Sequence, residues 1–332
     1  MADPRPQLFV HVADPGYGPG VDPRPREGQA DVEVSVEPVD WAPLTPAPQP
    51  TSELVFIDGT QQIEAWLTVT DPADGQPITG AAFAVAAGAV RAGHAPRAEI
   101  VDVVVRRATI IEGDRRLRLP DSGAFRWEAR SGASRDPNAI SGRIGQLRSE
   151  LELKLADRWS APDRLLILDG RLSFVRDGHG PVVGAVKSHH TLYLNGEPGA
   201  VVARLAVGQR TPLFAIGEDR FSWYQRLPGV GTQGWAGILR GETPRSLGLE
   251  TARQLADRAT LELPRFAGRA HRDPRAPQNL TPIMTLESRL RHRMGDRALA
   301  LRAARRAAAH AELDHVGAPA AADSPDRLHV AA

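Results

Sequence analysis

Two short apolar runs, each ending at an Asp-Gly dipeptide, constrain the fold of this chain more than any other feature. Residues 54–57 precede Asp58-Gly59, and residues 165–168 precede Asp169-Gly170. A run of four apolar residues predicts a strand that is buried on both faces, in a sheet covered by helices. An aspartate at the end of such a strand lies at the edge where α/β sheets carry their ligands. We therefore predict an α/β fold in which Asp58 and Asp169 lie close together.

The remaining apolar patterns agree with an α/β fold. Further strands are predicted over 63–69, 81–90, 100–111 and 182–186. A helix is predicted before the second Asp-Gly, because its apolar residues recur at helical spacing. These residues are Ile140, Ile144, Leu147, Leu151 and Leu155. One long final helix is predicted over 282–310.

The composition along the chain predicts three segments. Residues 1–50 are rich in Pro, Gly and acidic side chains, and we interpret them as an N-terminal arm that is too polar to bury on its own domain, with an edge strand at 32–36. Residues 51–310 form the single α/β domain. Residues 311–332 show no periodicity and are predicted to be a disordered C-terminal tail.

Composition excludes several classes of site and suggests a location. The chain has no cysteine, which rules out disulfides, a thiolate nucleophile and cysteine-ligated zinc. The acidic, Pro-containing start does not resemble a signal peptide. No apolar run approaches the roughly 18 residues that a membrane helix needs. We expect a cytoplasmic protein with no membrane segment.

Positive charge is concentrated near the C-terminus, although the net charge of the chain is only +1. Residues 289–306 contain seven arginines and one acidic residue, Asp296. A basic stripe of this kind suits phosphate groups. An ordinary solvated helix face explains the same pattern equally well.

The paired Asp-Gly sequences have two interpretations. Two carboxylates on neighbouring strands can hold Mg²⁺ or Mn²⁺ through oxygen ligands, and such metals support phosphodiester hydrolysis. Asp-Gly is also the strongest short signal for a hairpin turn, because both residues tolerate positive φ. The residues alone leave both interpretations open.

Three ordered motifs resemble those of the NurA-type DNA nucleases. Residues 56–60 (Phe-Ile-Asp-Gly-Thr) resemble the first motif, residues 166–170 (Leu-Ile-Leu-Asp-Gly) the second, and residues 183–188 (Val-Gly-Ala-Val-Lys-Ser) the strand that follows. The resemblance extends over roughly residues 54–305. It implies an RNase H-like mixed sheet flanked by helices, a nuclease domain at 51–310, and metal-dependent hydrolysis of DNA.

The resemblance also implies catalytic roles. Asp58 and Asp169 are expected to bind metal. The family carries a catalytic, metal-binding glutamate on the helix before the second motif, for which Glu152 has the better spacing and Glu150 is the alternative. Lys187, one of only two lysines in the chain, is expected to neutralise a phosphate oxygen or to steady the attacking water.

Residues next to these motifs are the expected substrate contacts. Thr60 follows the first Asp-Gly, Arg171 follows the second, and Ser188 follows Lys187.

The C-terminal part of the resemblance is imperfect. The family carries a tyrosine and then a histidine near the metals, whereas this chain has His271 and Asn279 at a similar separation. Asp273 is a candidate further metal ligand, and His271, Arg275 and Asn279 are candidate substrate contacts. The alternative is a loop that enters the final helix, with Asn279 as its N-cap.

By resemblance, the metal is Mn²⁺, with Mg²⁺ possible, and the chain forms a homodimer. The expected partners are single- and double-stranded DNA and a HerA-type hexameric ATPase, in DNA end processing or phage defence. One rival is a NurA-like subunit that has lost its chemistry and serves to bind DNA and the ATPase. Another is a hydrolase with a metal-free carboxylate pair, such as a glycosidase.

Overall fold

The computed structural model describes residues 9–13, 31–49, 53–72, 75–93, 98–130, 132, 138–172, 181–187, 193–229, 237–269 and 278–315. Within these ranges the chain forms one large mixed sheet with helices packed on both faces, and a separate two-stranded ribbon. The prediction of an α/β fold with a mixed sheet flanked by helices is confirmed.

The strands, in chain order, are β1 (Phe9–Ala13), β2 (Val32–Glu33), β3 (Glu53–Thr70), β4 (Pro77–Ala92), β5 (Glu99–Ile111), β6 (Arg115–Arg118), β7 (Glu128–Ala129), β8 (Arg164–Asp169), β9 (Val182–Val186), β10 (Phe214–Ile216), β11 (Arg220–Arg226), β12 (Ile238–Pro244) and β13 (Glu312–His315). The helices are α1 (Ala139–Trp159), α2 (Gly196–Arg204), α3 (Leu249–Glu262), α4 (Thr281–Met294) and α5 (Arg297–Ala308), with short 3-10 turns at Arg245–Leu247 and Leu263–Phe266.

The large sheet is centred on β3. Its order is β2-β10-β11-β12-β9-β8-β3-β4-β5-β7, and β1 pairs with the far end of β3. Strands β3, β8 and β9 are parallel to one another, and β3, β4 and β5 are antiparallel. The predicted strands over 81–90, 100–111 and 182–186 are confirmed as β4, β5 and β9.

The prediction that a strand ends at Asp58 is wrong. β3 continues through Asp58 and Gly59 and includes the segment predicted as a separate strand over 63–69. Its two neighbours explain the difference. β8 pairs with β3 only as far as Ile57, whereas β4 continues to pair with it, Asp58 opposite Gly88. Asp58 therefore lies inside a strand, at the point where its parallel neighbour ends.

An irregularity in β3 places apolar residues from both ends of the long strand on the same face. The pairing with β4 shifts between Ile63 and Ala65, which is typical of a β-bulge. Before the shift Leu54 and Phe56 pack against the α4 side, and after it Leu67 packs against the α5 side. Because the shift restores the alternation, α4 and α5 cover the same face in succession.

Helix α1 covers the opposite face, as its sequence predicts. Its apolar stripe is buried, and Leu151 is half-buried. The stripe packs on Val55 and Ile57 of β3 and on Phe83 of β4. Helix α1 thus lies across the sheet from α4.

The single final helix predicted over 282–310 is wrong, because the chain breaks there into α4 and α5. Gly295 adopts φ +80°, a left-handed conformation that favours glycine and ends a helix. The Asp296 side chain then accepts a 2.9 Å hydrogen bond from the Leu299 N–H and caps α5. The basic residues of 289–306 are consequently divided between two helices.

Described residues on both sides of the predicted domain (51–310) also pair with its strands. Residues 31–49 belong to the domain, because β2 pairs with β10 at the sheet edge and Leu44 bridges Arg210. At the other end, β13 pairs with β6 inside the segment predicted as a disordered tail. Residues 316–332 lie outside the described ranges.

A buried ion pair holds the N-terminal segment to the domain. Both carboxylate oxygens of Glu37 accept hydrogen bonds from the Arg210 guanidinium at 2.9 Å, and Asp257 binds the same guanidinium at 2.7 Å. The Leu213 N–H also donates to Glu37, at 2.7 Å. Burial would raise the pKa of Glu37, but Arg210 outweighs it and the pKa is lowered. Within the predicted arm, residues 31–49 are therefore held to the domain through a buried acidic side chain.

None of the helices in the described ranges is both long enough and apolar enough to cross a membrane.

We expect Glu37→Gln to lower the free energy of unfolding by about 1–3 kcal/mol, because it removes one of the two carboxylates that compensate the buried Arg210 charge and leaves only Asp257. Urea unfolding followed by circular dichroism measures this. Glu33→Gln is the matched control on the same segment. Glu33 forms an exposed 3.3 Å pair with Arg245, so its loss should cost about 0–1 kcal/mol. Equal effects of the two substitutions would contradict a role for Glu37 in holding the segment.

Candidate metal centre

Three carboxylates from three elements meet at the end of the parallel strands. One oxygen each of Asp58, Asp169 and Glu287 lies within 4.8 Å of the other two. Asp58 comes from β3, Asp169 ends β8, and Glu287 comes from α4, which packs across this face of the sheet. Carboxylate oxygens are the ligands that Mg²⁺ and Mn²⁺ prefer.

Strand alternation places the two aspartates on the same face. Asp58 follows Phe56 at a spacing of two, and Asp169 follows Ile167 at the same spacing. Phe56 and Ile167 belong to the core cluster that includes Leu286 of α4. Both aspartates therefore face α4, the helix that supplies Glu287.

Asp58 is the most constrained member of the cluster. Its side chain is buried, and its Oδ2 atom has no hydrogen-bond partner among the described residues. Burial raises the pKa of Asp58 well above its usual range, and the charges of Asp169, Glu152 and Glu287 raise it further, while Lys187 lowers it. A buried carboxylate with an unpartnered oxygen and acidic neighbours fits a bound cation, which would satisfy the oxygen and offset the charge repulsion.

Lys187 is held between Asp169 and the start of α4. Its ammonium lies 2.7 Å from both oxygens of Asp169 and donates a 2.6 Å hydrogen bond to Oδ1 of Asn279. Asn279 is fully buried, and the N-cap of α4 is Leu280, so the alternative of Asn279 as the cap is wrong. The lysine thus connects the end of β8 to the helix that carries Glu287.

The structure distinguishes between the two glutamates of α1. Glu150 is exposed and pairs with Arg143 at 3.5 Å. Glu152 is largely buried, and its charge is close enough to raise the pKa of Asp58. Burial raises the pKa of Glu152 to about 7, against the opposing effect of Arg148. Glu152 approaches from the α1 face and is not part of the cluster that Glu287 completes.

Gly59 allows Glu152 to approach the strand. A Cβ atom at position 59 would collide with the Glu152 carboxylate and would lie 2.9 Å from Cγ of Arg148. The first Asp-Gly thus provides room for a carboxylate inside a strand, and the hairpin interpretation fails there. At the second, Gly170 turns with φ +92°, but the next strand, β9, runs parallel to β8, so this is not a hairpin either.

The other predicted site residues are placed only in part. Thr60 is half-buried two residues after Asp58, on the same side of β3, and Arg171 is exposed. The candidates Ser188, His271, Asp273 and Arg275 lie outside the described residues.

Sequence reasoning missed Glu287. It is the only acidic residue of α4, next to buried Leu286 and three residues before buried Leu290. A lone acid beside the apolar stripe of an otherwise basic helix is the signal that was available.

No protein-family model matches the sequence, and no curated protein gives a significant match to it.

We expect Asp58→Asn to stabilise the metal-free protein by about 1–3 kcal/mol, because the neutral amide removes a charge that burial and the acidic neighbours disfavour. Because the pKa of Asp58 is raised in the folded chain, ionisation of Asp58 destabilises the folded protein. This destabilisation increases as the pH rises and Asp58 ionises, and it is absent in the Asn variant. Melting in EDTA should therefore show a gain of a few degrees at pH 8, shrinking as pH falls toward the ordinary value of 3.8.

Asp169→Asn is the matched control. It also removes a charge from the cluster, but it takes a carboxylate away from Lys187. Its melting temperature should rise less than that of Asp58→Asn, or fall. A larger rise for Asp169→Asn would show that Asp58 is not the destabilised carboxylate.

Proposed function

We propose that this protein is a metal-dependent DNA nuclease of the NurA type. The observation that carries the proposal is the cluster of Asp58, Asp169 and Glu287, with an unpartnered buried oxygen and a lysine at its edge. The motifs that resemble the NurA family supply Asp58, Asp169 and Lys187, and the fold brings them together with a third carboxylate.

The strand pattern supports an RNase H-like arrangement. In the order β5-β4-β3-β8-β9, the first three strands are antiparallel and the last two run parallel to β3, which is the pattern of that fold. The candidate ligands lie where the central strand β3 passes the end of β8.

Each residue of the candidate centre has a proposed chemical role. Asp58, Asp169 and Glu287 hold the cation, which when bound stabilises charge on phosphate oxygens and lowers the pKa of water. Lys187 offers an ammonium beside Asp169 for a phosphate oxygen. Glu152, with a pKa of about 7, holds or releases a proton near neutral pH. It lies against Gly59 on the α1 face of the sheet, opposite the face that carries Asp58.

The arginines of α4 provide a surface for the DNA backbone. They lie on two different flanks of the helix. Arg291 lies one turn after Glu287 and so on the same flank of the helix. Arg289 and Arg293 lie across the buried stripe of α4, on the other flank. All three arginines are exposed. We assign Arg291 to the phosphate nearest the centre and the others to peripheral contacts.

By the same resemblance we propose Mn²⁺ as the preferred metal, with Mg²⁺ as the alternative, and a homodimer that acts with a HerA-type hexameric ATPase on single- and double-stranded DNA. The rival is a NurA-like subunit without chemistry that binds DNA and the ATPase. Metal binding separates the two, because a degenerate subunit has no use for a cation at Asp58.

We expect the purified chain to cleave DNA with Mn²⁺ and to be inactive in EDTA. Asp58→Asn and Glu287→Gln should each lower the rate by about 100-fold or more, as expected when charge stabilisation at the transition state is lost. Cleavage of labelled single- and double-stranded DNA, resolved on gels, measures this.

Glu250→Gln is the control, because Glu250 is an exposed glutamate of α3 that pairs with Arg253. Its rate should equal that of the wild type. Calorimetric titration with Mn²⁺ accompanies the assay. No Mn²⁺ binding at all would overturn the proposed centre and favour the degenerate subunit, whereas binding that needs Asp58 without cleavage would contradict the proposed nuclease activity.

We expect Arg291→Ala to slow cleavage at low DNA concentration by about tenfold, because a charge-assisted contact to phosphate contributes about 1.5 kcal/mol or more. Arg293→Ala removes the same charge, equally exposed, from the opposite flank. It should change the rate by less than about twofold, since exposed charges far from the centre contribute little. Equal losses of cleavage rate in the two variants would contradict a specific contact of Arg291 and would mean that α4 contributes only non-specific positive charge.

A further inference from the structure

A further buried carboxylate contacts the turn that follows Asp169. Glu242 of β12 is fully buried, and its Oε2 lies 2.7 Å from Arg240 and its Oε1 3.5 Å from Arg220. Its Oε1 also accepts a short hydrogen bond from the Leu172 N–H. Glu242 thus contacts arginines of β11 and β12 and also the turn that follows Asp169.

That turn is fastened to the sheet at two points. The Gly170 N–H donates a 2.9 Å hydrogen bond to the Ala185 carbonyl of β9, and the Leu172 N–H donates to Glu242. Gly184, the strand partner of Glu242, makes room for both contacts. A Cβ atom at Gly184 would lie 2.8 Å from the Gly170 carbonyl oxygen and 3.0 Å from Cγ of Glu242.

We propose that Glu242 is a positioning residue for Asp169. It reaches across the bare backbone of Gly184, holds Leu172, and so fixes where β8 ends and where the Asp169 carboxylate points. The proposal rests on the proposed function, because Asp169 is the metal ligand whose position matters. Groups that orient a ligand through the surrounding hydrogen bonds typically change metal affinity about 10–100-fold when they are removed.

A merely structural acid provides the comparison. Glu64 of β3 is also fully buried, lies 2.8 Å from Nε of Arg107, and accepts a 2.9 Å hydrogen bond from Trp127. Its hydrogen bonds and ion pair within the described ranges involve Arg107 and Trp127, and not residues 169–172. Glu242→Met and Glu64→Met therefore remove the same carboxylate from similar surroundings and leave arginine charge unpaired in both, but only Glu242→Met releases the turn.

The experiment measures Mn²⁺ affinity by calorimetry, and amide hydrogen exchange by mass spectrometry for the peptide that contains residues 170–172. Glu242→Met should weaken Mn²⁺ binding about tenfold or more and speed exchange in that peptide. Glu64→Met should leave both within about twofold of the wild type, although each variant lowers the melting temperature. Gly184→Ala, which crowds the same turn, should behave as Glu242→Met does, and it decides the question if Glu242→Met does not fold.

Unchanged Mn²⁺ affinity in Glu242→Met and Gly184→Ala, or an equal loss in Glu64→Met, would overturn the proposal. A wild-type chain that binds no Mn²⁺ would instead overturn the proposed centre. In that case the exchange measurement still shows whether Glu242 holds the turn. The two failures are therefore distinguishable.

Discussion

The arrangement of this protein depends on a carboxylate held inside a strand without a matching partner. Asp58 cannot move away from the cluster, because β4 pairs with β3 on both sides of it. Its burial and its acidic neighbours make the ionised form unfavourable, and Lys187 offsets only part of that. Three elements must stay packed to maintain this geometry, and the apolar contacts of β3, β8 and α4 supply the free energy that opposes the repulsion.

The other buried acids show what structural carboxylates look like in this chain. Glu37, Glu64 and Glu242 each bind an arginine within 3 Å, so their charges are compensated by planar, hydrogen-bonded partners. Asp58 instead keeps an oxygen without a hydrogen-bond partner in the described part of the chain, and Lys187, one of two lysines in a chain rich in arginine, pairs with the neighbouring Asp169. A compact ammonium fits between Asp169 and Asn279, where a guanidinium fork needs more room. This contrast separates the candidate centre from ordinary buried ion pairs.

Local patterns predicted much of this fold, and contacts distant in sequence account for what they missed. The apolar runs and the stripe of α1 identified β8, β9 and α1, because burial sets residue type directly. They could not show that β3 passes through Asp58, since that depends on a neighbour, β4, and on a bulge. Glu287 was missed for the same reason: whether α4 crosses above Asp58 depends on tertiary packing. The N-terminal segment was judged by its average polarity, whereas the pairing of β2 with β10 and the Glu37–Arg210 ion pair hold residues 31–49 to the domain.

The two faces of the sheet supply different parts of the candidate site. Glu287 reaches the aspartates from the α4 face, while Glu152 reaches the same level of β3 from the α1 face, through the space that Gly59 leaves. A continuous sheet would separate them, but β8 ends at Asp169, so the edge is open at this level. Acidic groups can therefore approach the Asp58–Asp169 pair from both sides of one strand. Glu152 therefore approaches the Asp58–Asp169 pair without joining the compact cluster that Glu287 completes.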